Sequence, residues 1–395
     1  MEGMSTKVYI VLLSLAISAF AIGTTEFVTV GLLQTVANDL TISVTKAGTL
    51  ISGYAVAIAV GTPIVTAITG RIPKKGFLLI LMVVFILGNI TSAIAETYEI
   101  LMISRLITAI AHGVFFAIAT TVAADIVPEN KKGTAISIMF TGLTVATIVG
   151  VPMGTYIGQH FGWRATFSAV AVLGIMGLVT NVFAIDKVNR QTNPPTLKDV
   201  GKLVKNQRIL LALLMTALGF GGTFALFTYL APILQEISGY SSGAISFLLL
   251  VYGVAVAIGN IVGGKMANQH PVKSLRFVFL FQVIVLLLQM VLLPSKGLSI
   301  LSIFLLGLFA FMMSAGVQAY IVTLAEKLVP SVKDIASALN ISAFNVGIAT
   351  GSTLGGLAVD YLAYLDTAWI GAIMAAVAFV LSVLNYKLDK KQKLF

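Results

Sequence analysis

Twelve apolar stretches, each about 20 residues long, run along this chain with only short polar segments between them. They cover 9–33, 47–69, 77–95, 100–123, 134–157, 165–185, 209–231, 244–264, 277–293, 298–322, 335–358 and 367–386. A stretch of that length spans a hydrocarbon layer about 30 Å thick as an α-helix. Without water in that layer, backbone polar groups must be satisfied internally, and a helix does so within one segment. The pattern therefore predicts an all-α membrane protein of twelve transmembrane helices. An even number of spans leaves both termini on one face.

The polar exceptions inside the apolar stretches are few. The ionisable ones are Glu26, Arg105 and His112. A charge at the centre of a bilayer costs roughly 3 kcal/mol even on mild scales, so such residues point to function. Glu26 and Arg105 lie at similar depth, each several residues from the same end of its span. Their closeness would hold a proton off Glu26, and their separation would let burial favour one. The same pair also reads as a static ion pair that fixes helix packing. His112 follows Arg105 by seven residues, on nearly the same helical face. It reads as a proton carrier, a substrate contact or a structural hydrogen-bonding group.

Charge outside the spans is strongly one-sided. Of 25 lysines and arginines, 21 fall on the face that carries the termini and three (Lys46, Arg164, Lys296) on the other, with Arg105 inside. The positive-inside rule makes the terminus-bearing face cytoplasmic, and predicts a multi-pass protein of the cell membrane. The net charge of +10 then reflects topology and anionic lipid, not nucleic acid. The longest loop, 186–208, contains Asn193-Pro194-Pro195 and six basic residues. It divides the chain into bundles at 1–185 and 209–395. Tyr54 to Gly61 aligns with Tyr252 to Gly259 at an offset of 198, and Val127-Pro128 with Val329-Pro330 at 202. A parallel repeat of six helices is one way transporters are built, with the site at the midplane between repeats.

Composition narrows the classes further. Hydrophobic residues make up 58% and charged residues 10% of the chain, and mean hydropathy is +1.01, against about 25% charged in soluble domains. No cysteine is present, which removes disulfides, thiol catalysis and cysteine metal sites. No His-Glu-x-x-His, phosphate loop or intramembrane aspartate pair occurs, so no enzyme activity, metal or cofactor is expected.

Four segments carry a resemblance: Thr24-Thr-Glu-Phe-Val-Thr-Val-Gly-Leu-Leu33, Ser104-Arg-Leu-Ile-Thr-Ala-Ile-Ala-His-Gly113, Gly150-Val-Pro-Met-Gly154 and Gly162-Trp-Arg-Ala-Thr-Phe167. The chain resembles the major facilitator superfamily, and within it the twelve-helix drug:proton antiporters near the arabinose and sugar efflux proteins. The resemblance implies two pseudosymmetric six-helix bundles, alternating access, and export of small organic molecules driven by inward proton flow. Glu26, the only acid within the spans, is then the expected proton carrier, with Arg105 as its partner. The resemblance also makes Gly150, Pro152 and Gly154 a gating motif that packs the two bundles together. The family's loop signature between spans two and three departs here. Gly70 replaces an acid and Pro73 a glycine, leaving Arg71, Lys74 and Lys75 to clamp a helix end or merely to anchor the face.

In that family spans one, four, seven and ten line the centre. Candidate substrate contacts are accordingly Phe116, Phe224 and Gln318, joined by Tyr54 from span two and by Asn340 and Asn345 from span eleven. The buried amides are preferred, because an amide facing lipid lacks partners. Two function classes stay open. One is a proton-coupled exporter working as a monomer with protons, lipid and a small-molecule substrate as its partners. The other is a facilitator or symporter of a sugar or amino acid, with Glu26 and Arg105 a structural pair.

Overall fold

The computed structural model describes residues 5–69, 72–127, 132–185, 201, 205–267, 271–328 and 333–392. Arg71 and nearly all of the 186–208 loop lie outside them. The described residues form helices and short connections, with no strand among them. Helix α1 runs Thr6–Asp39, α2 Val44–Thr69, α3 Lys74–Ala93, α4 Tyr98–Asp125, α5 Lys132–Val145, α6 Val151–Phe161 and α7 Trp163–Ala184. After the long loop come α8 Gln207–Phe227, α9 Leu230–Glu236, α10 Ser242–Ala267, α11 Pro271–Leu292, α12 Leu298–Leu328, α13 Lys333–Tyr361 and α14 Asp366–Gln392. Side chains cap several starts: Thr97 accepts from the Ile100 amide, and Asn206 from those of Arg208 and Ile209.

Proline sets two irregularities. A proline has no N–H and crowds the carbonyl four residues earlier. Pro152 faces the Ile148 carbonyl in this way, and residues Ala146–Gly150 widen into a π-turn that joins α5 to α6 as one span. Pro232 faces the Thr228 carbonyl, and span seven breaks there into α8 and α9.

Eleven spans are long and apolar enough to cross a membrane among the described residues. The twelfth expected span is α13, whose glycines, Asn340, Asn345 and Asp360 lower its apolarity. It is nonetheless a 29-residue helix packed into the bundle, against α2 and α8.

Packing repeats between the two sets of six spans. In the first, α1 packs on the α5–α6 span and α7, α2 on α4, and α3 on α4 and α7. In the second, α8 packs on α13 and α14, α10 on α12, and α11 on α12 and α14. The sets meet mainly where α2 lies along α13 and where α10 lies along the π-turn and α6. Those contacts extend to the face opposite the termini. There Thr45 donates to the Asp360 carboxylate, Ser246 to Gln159 (3.4 Å), and Tyr229 to the Ser352 carbonyl (3.2 Å). A Cβ on Gly48 of α2 would lie 2.5 Å from the Tyr229 hydroxyl, and one on Gly356 of α13 2.6 Å from it. The hydroxyl thus sits between two glycines, one from each set.

Candidate functional site

Glu26 on α1 and Arg105 on α4 face one cavity between the two sets of helices. Phe27, Ile51, Tyr54, Phe224 and Ile348 line it as well. It leaves about 10 Å³, room for one water. Arg105 is 1% exposed. Its Nη1 donates to the Thr25 carbonyl at 2.7 Å and to Thr25 Oγ1 at 3.3 Å. Thr25 Oγ1 in turn donates to Asn89 Oδ1 at 2.8 Å, tying α1 and α4 to α3. The guanidinium carbon lies 4.0 Å from the centre of the Tyr54 ring, a cation–π stack. Its Nε and Nη2 atoms are buried without a hydrogen-bond partner.

Glu26 and Arg105 do not form an ion pair within 4.0 Å; those among the described residues lie elsewhere. Of the two readings of the pair, the direct static ion pair is not formed in this structure. The arginine is fixed by a backbone carbonyl and an aromatic face, and it lines the same cavity as Glu26. A carboxylate left without a bonded cation can take up and release a proton without breaking an ion pair.

His112 lies about two helical turns beyond Arg105, away from the shared cavity. Its Nδ1 and the Tyr54 hydroxyl share a hydrogen bond of 3.0 Å. Phe116 packs 5.1 Å from the His112 ring and stacks on Phe140 at 5.4 Å. Phe116, expected as a substrate contact, is buried within the first set of helices and lines neither cavity between the sets.

The second set contributes aromatics and amides. A second cavity of similar size is lined by Phe27, Thr147, Val151, Phe227, Leu249, Tyr252 and Phe311. Phe224 lies 6.5 Å from Phe27 and 6.3 Å from Phe344, so rings of both sets meet at the centre. Asn340 accepts from Thr216 (2.7 Å) and donates to Gln318 (2.6 Å), which links α8, α13 and α12. Asn345 donates to the Ile341 carbonyl of its own helix, and its Oδ1 is buried without a partner. Of the expected contacts, Tyr54 and Phe224 therefore share a cavity with Glu26, whereas Gln318 and Asn340 bond each other. Phe27, Phe311, Thr147 and Tyr252 join the site without having been singled out as contacts.

The glycines of span five face differently from expectation. A Cβ on Gly150 would strike Thr24, one on Gly154 Val28, and one on Gly158 Leu32, all on α1. They let α1 and α6 of the same set approach closely, and do not themselves join the two sets. That contact falls to Val151 and to Gly253 of α10, where an added Cβ would strike the Thr147 carbonyl of the π-turn. Pro152 is buried beside them.

The family model described as Major Facilitator Superfamily matches residues 15–332. The chain belongs to the major facilitator superfamily. Among its relatives in this superfamily is YtbD of Bacillus subtilis (strain 168), described as an uncharacterized MFS-type transporter. It is 48% identical over 97% of this chain and 96% of its own. The inner membrane transport protein YdhP of Escherichia coli (strain K12) is 38% identical over 95% of each. A solved bacterial homologue of the human lysosomal transporter Spinster, in an inward-facing and unoccupied conformation, superposes with a TM-score of 0.74. It covers 98% of this chain and 99% of its own at 15% identity, a likeness of fold alone. As a major facilitator the chain is a multi-pass secondary transporter of small molecules within the lipid bilayer, not an enzyme.

Proposed function

We propose that this facilitator is a proton-coupled exporter of small organic molecules, of the drug:proton antiporter kind. Glu26 carries the proton and Arg105 is its partner. The observation that carries this reading is Glu26 itself. It is the acid within the apolar spans, it faces a cavity between the two helix sets, and Arg105 is held beside it by Thr25 instead of by the carboxylate. A proton and a substrate that both enter that cavity compete through the same buried charge. The bundles 1–185 and 209–395, joined by the 186–208 loop, rock about this centre. Tyr54, Phe224 and the amides of span eleven contact substrate, and span five gates. The protein acts as a monomer in the cell membrane with both termini cytoplasmic, as its lysines and arginines indicate.

Proteoliposomes supplied with a panel of aromatic cations, neutral amphiphiles, sugars and amino acids test it. Accumulation of a panel compound driven by a pH gradient, abolished by a protonophore, is the expected result. Glu26→Gln should abolish that accumulation while leaving exchange of the same compound partly intact. A mutant that still concentrates the compound with wild-type stoichiometry would overturn the assignment, and the facilitator reading would replace it.

A further inference from the structure

Tyr54 is placed to pass protons, not only to touch substrate. Its ring lies under the Arg105 guanidinium at the cavity that holds Glu26, and its hydroxyl shares the 3.0 Å bond with His112 Nδ1. Beyond His112, α2 continues toward the terminus-bearing face, presenting residues four apart on one side. Tyr54, Thr62 and Thr66 fall on that stripe. A Cβ on Gly113, next to His112, would strike Thr62 Oγ1, so this hydroxyl lies directly beside the His112 turn.

The hydroxyls of Thr62 and Thr66 are both buried and both without a hydrogen-bond partner. Thr29, Thr155 and Thr228 are orphaned in the same way, but away from this stripe. Thr24, Thr69, Thr91 and Thr120 each donate to the carbonyl four residues earlier in their own helix. Buried polar atoms are nearly always partnered, by protein or by water, so two orphans in one line call for a transient partner.

We propose that Thr66, Thr62, His112 and Tyr54 form a file that carries protons between the terminus-bearing face and Glu26. The proposal rests on Glu26 being the proton carrier. One transfer proceeds as follows. A proton reaching His112 leaves Nδ1 for the Tyr54 oxygen, while the Tyr54 O–H proton crosses the one-water cavity to a Glu26 carboxylate oxygen. One proton enters at His112 Nε2 and one lands on Glu26; return of the imidazole to its Nδ1–H tautomer, together with rotation of the Tyr54 hydroxyl, restores the start. The charged groups that reach Tyr54 and His112 are Glu26 of α1 and Arg105 of α4. Nearby, α3 offers the neutral Asn89 and Ser92 to α1 and α4, and α5 offers Phe140. The second set lacks this device. At the offset of 202, Gly307 stands where the first set has Arg105, and the Tyr252 hydroxyl has no partner.

The test needs no substrate. Purified full-length protein is jumped from alkaline to acidic pH, and the infrared carbonyl band of protonated Glu26, identified by its loss in Glu26→Gln, is followed in time. Tyr54→Phe keeps the ring under Arg105 and Thr62→Val keeps the volume. Each should slow the rise about tenfold or more and reach the wild-type final amplitude. Thr91→Val should behave as wild type. Wild-type rates in both file variants would overturn the route while leaving Glu26 as carrier, and so would a changed final amplitude at an unchanged rate. Absence of the band in the wild type would instead overturn Glu26 as carrier, and the file with it.

Discussion

Arg105 is the residue whose surroundings differ most from those of an ordinary buried charge. Its donors go to Thr25, and its flat face lies on Tyr54. A lysine has the charge but neither the fork nor the plane, so Arg105→Lys should lose most of the transport lost in Arg105→Ala. Arg164 makes a useful contrast. It pairs with Asp39 at 2.6 Å and stacks on Trp163 at the half-exposed end of the bundle, far from either cavity. Partly exposed pairs contribute about 0–1 kcal/mol. Arg164→Ala should thus lower thermal stability slightly and leave transport largely intact, as counterflow assays on both variants would measure. Equal losses would place Arg105 among mere interfacial residues. In the sequence, Glu26, Arg105 and His112 stood out because charge inside an apolar span is costly. The Thr25 carbonyl could not, since every residue has one and only the fold aims it. Tyr54 was visible as an aromatic of span two, but its bond to a histidine 58 residues away was not.

Among the elements, spans were legible to within a few residues, because a length of apolar sequence is itself the physical requirement. Their irregularities were less so. The sequence singled out Pro152 as part of a gating motif, and a π-turn forms just before it. Pro232 went unremarked because it lies at the edge of an apolar run, yet it ends α8. The glycines of span five were read as joining the two sets, but the sequence alone does not say which neighbour a small residue meets. The contact at Gly253 carries a prediction. Added bulk there meets the Thr147 carbonyl and Ile148, and overpacking costs about 1–3 kcal/mol. Gly253→Val should loosen the closed face opposite the termini. A cysteine at Leu249, unique in this cysteine-free chain, should then react with a membrane-impermeant maleimide roughly fivefold faster or more. Unchanged labelling would mean that this contact does not hold the face shut.

For the molecule as a whole, the two sets of six spans share one packing scheme but not one chemistry. Arg105 and His112 belong to the first, and the aromatic rings and linked amides mostly to the second. The repeat was visible in two short alignments, while the closure of one face was not, because it depends on which glycines meet Tyr229. Orientation is testable directly. In right-side-out vesicles, Lys46→Cys should be labelled from the medium and Lys205→Cys should not, both side chains being exposed. The reverse pattern would place the termini outside.

The closed face has a further consequence. Each ion pair among the described residues lies within one set of helices: Lys46–Glu99, Lys74–Asp125, Arg164–Asp39 and Arg208–Asp389. Across the described part of the seam run a hydrogen bond from Thr45 to the Asp360 carboxylate, one from Ser246 to Gln159, and close apolar fits, but no ion pair. Dissolved salt shortens the Debye length from about 30 Å at 0.01 M to about 3 Å at 1 M and weakens exposed ion pairs. It therefore reaches the clasps inside each bundle and has little to grip between them. The contacts described on this face should thus hold steady across salinities that an ion-pair latch would feel.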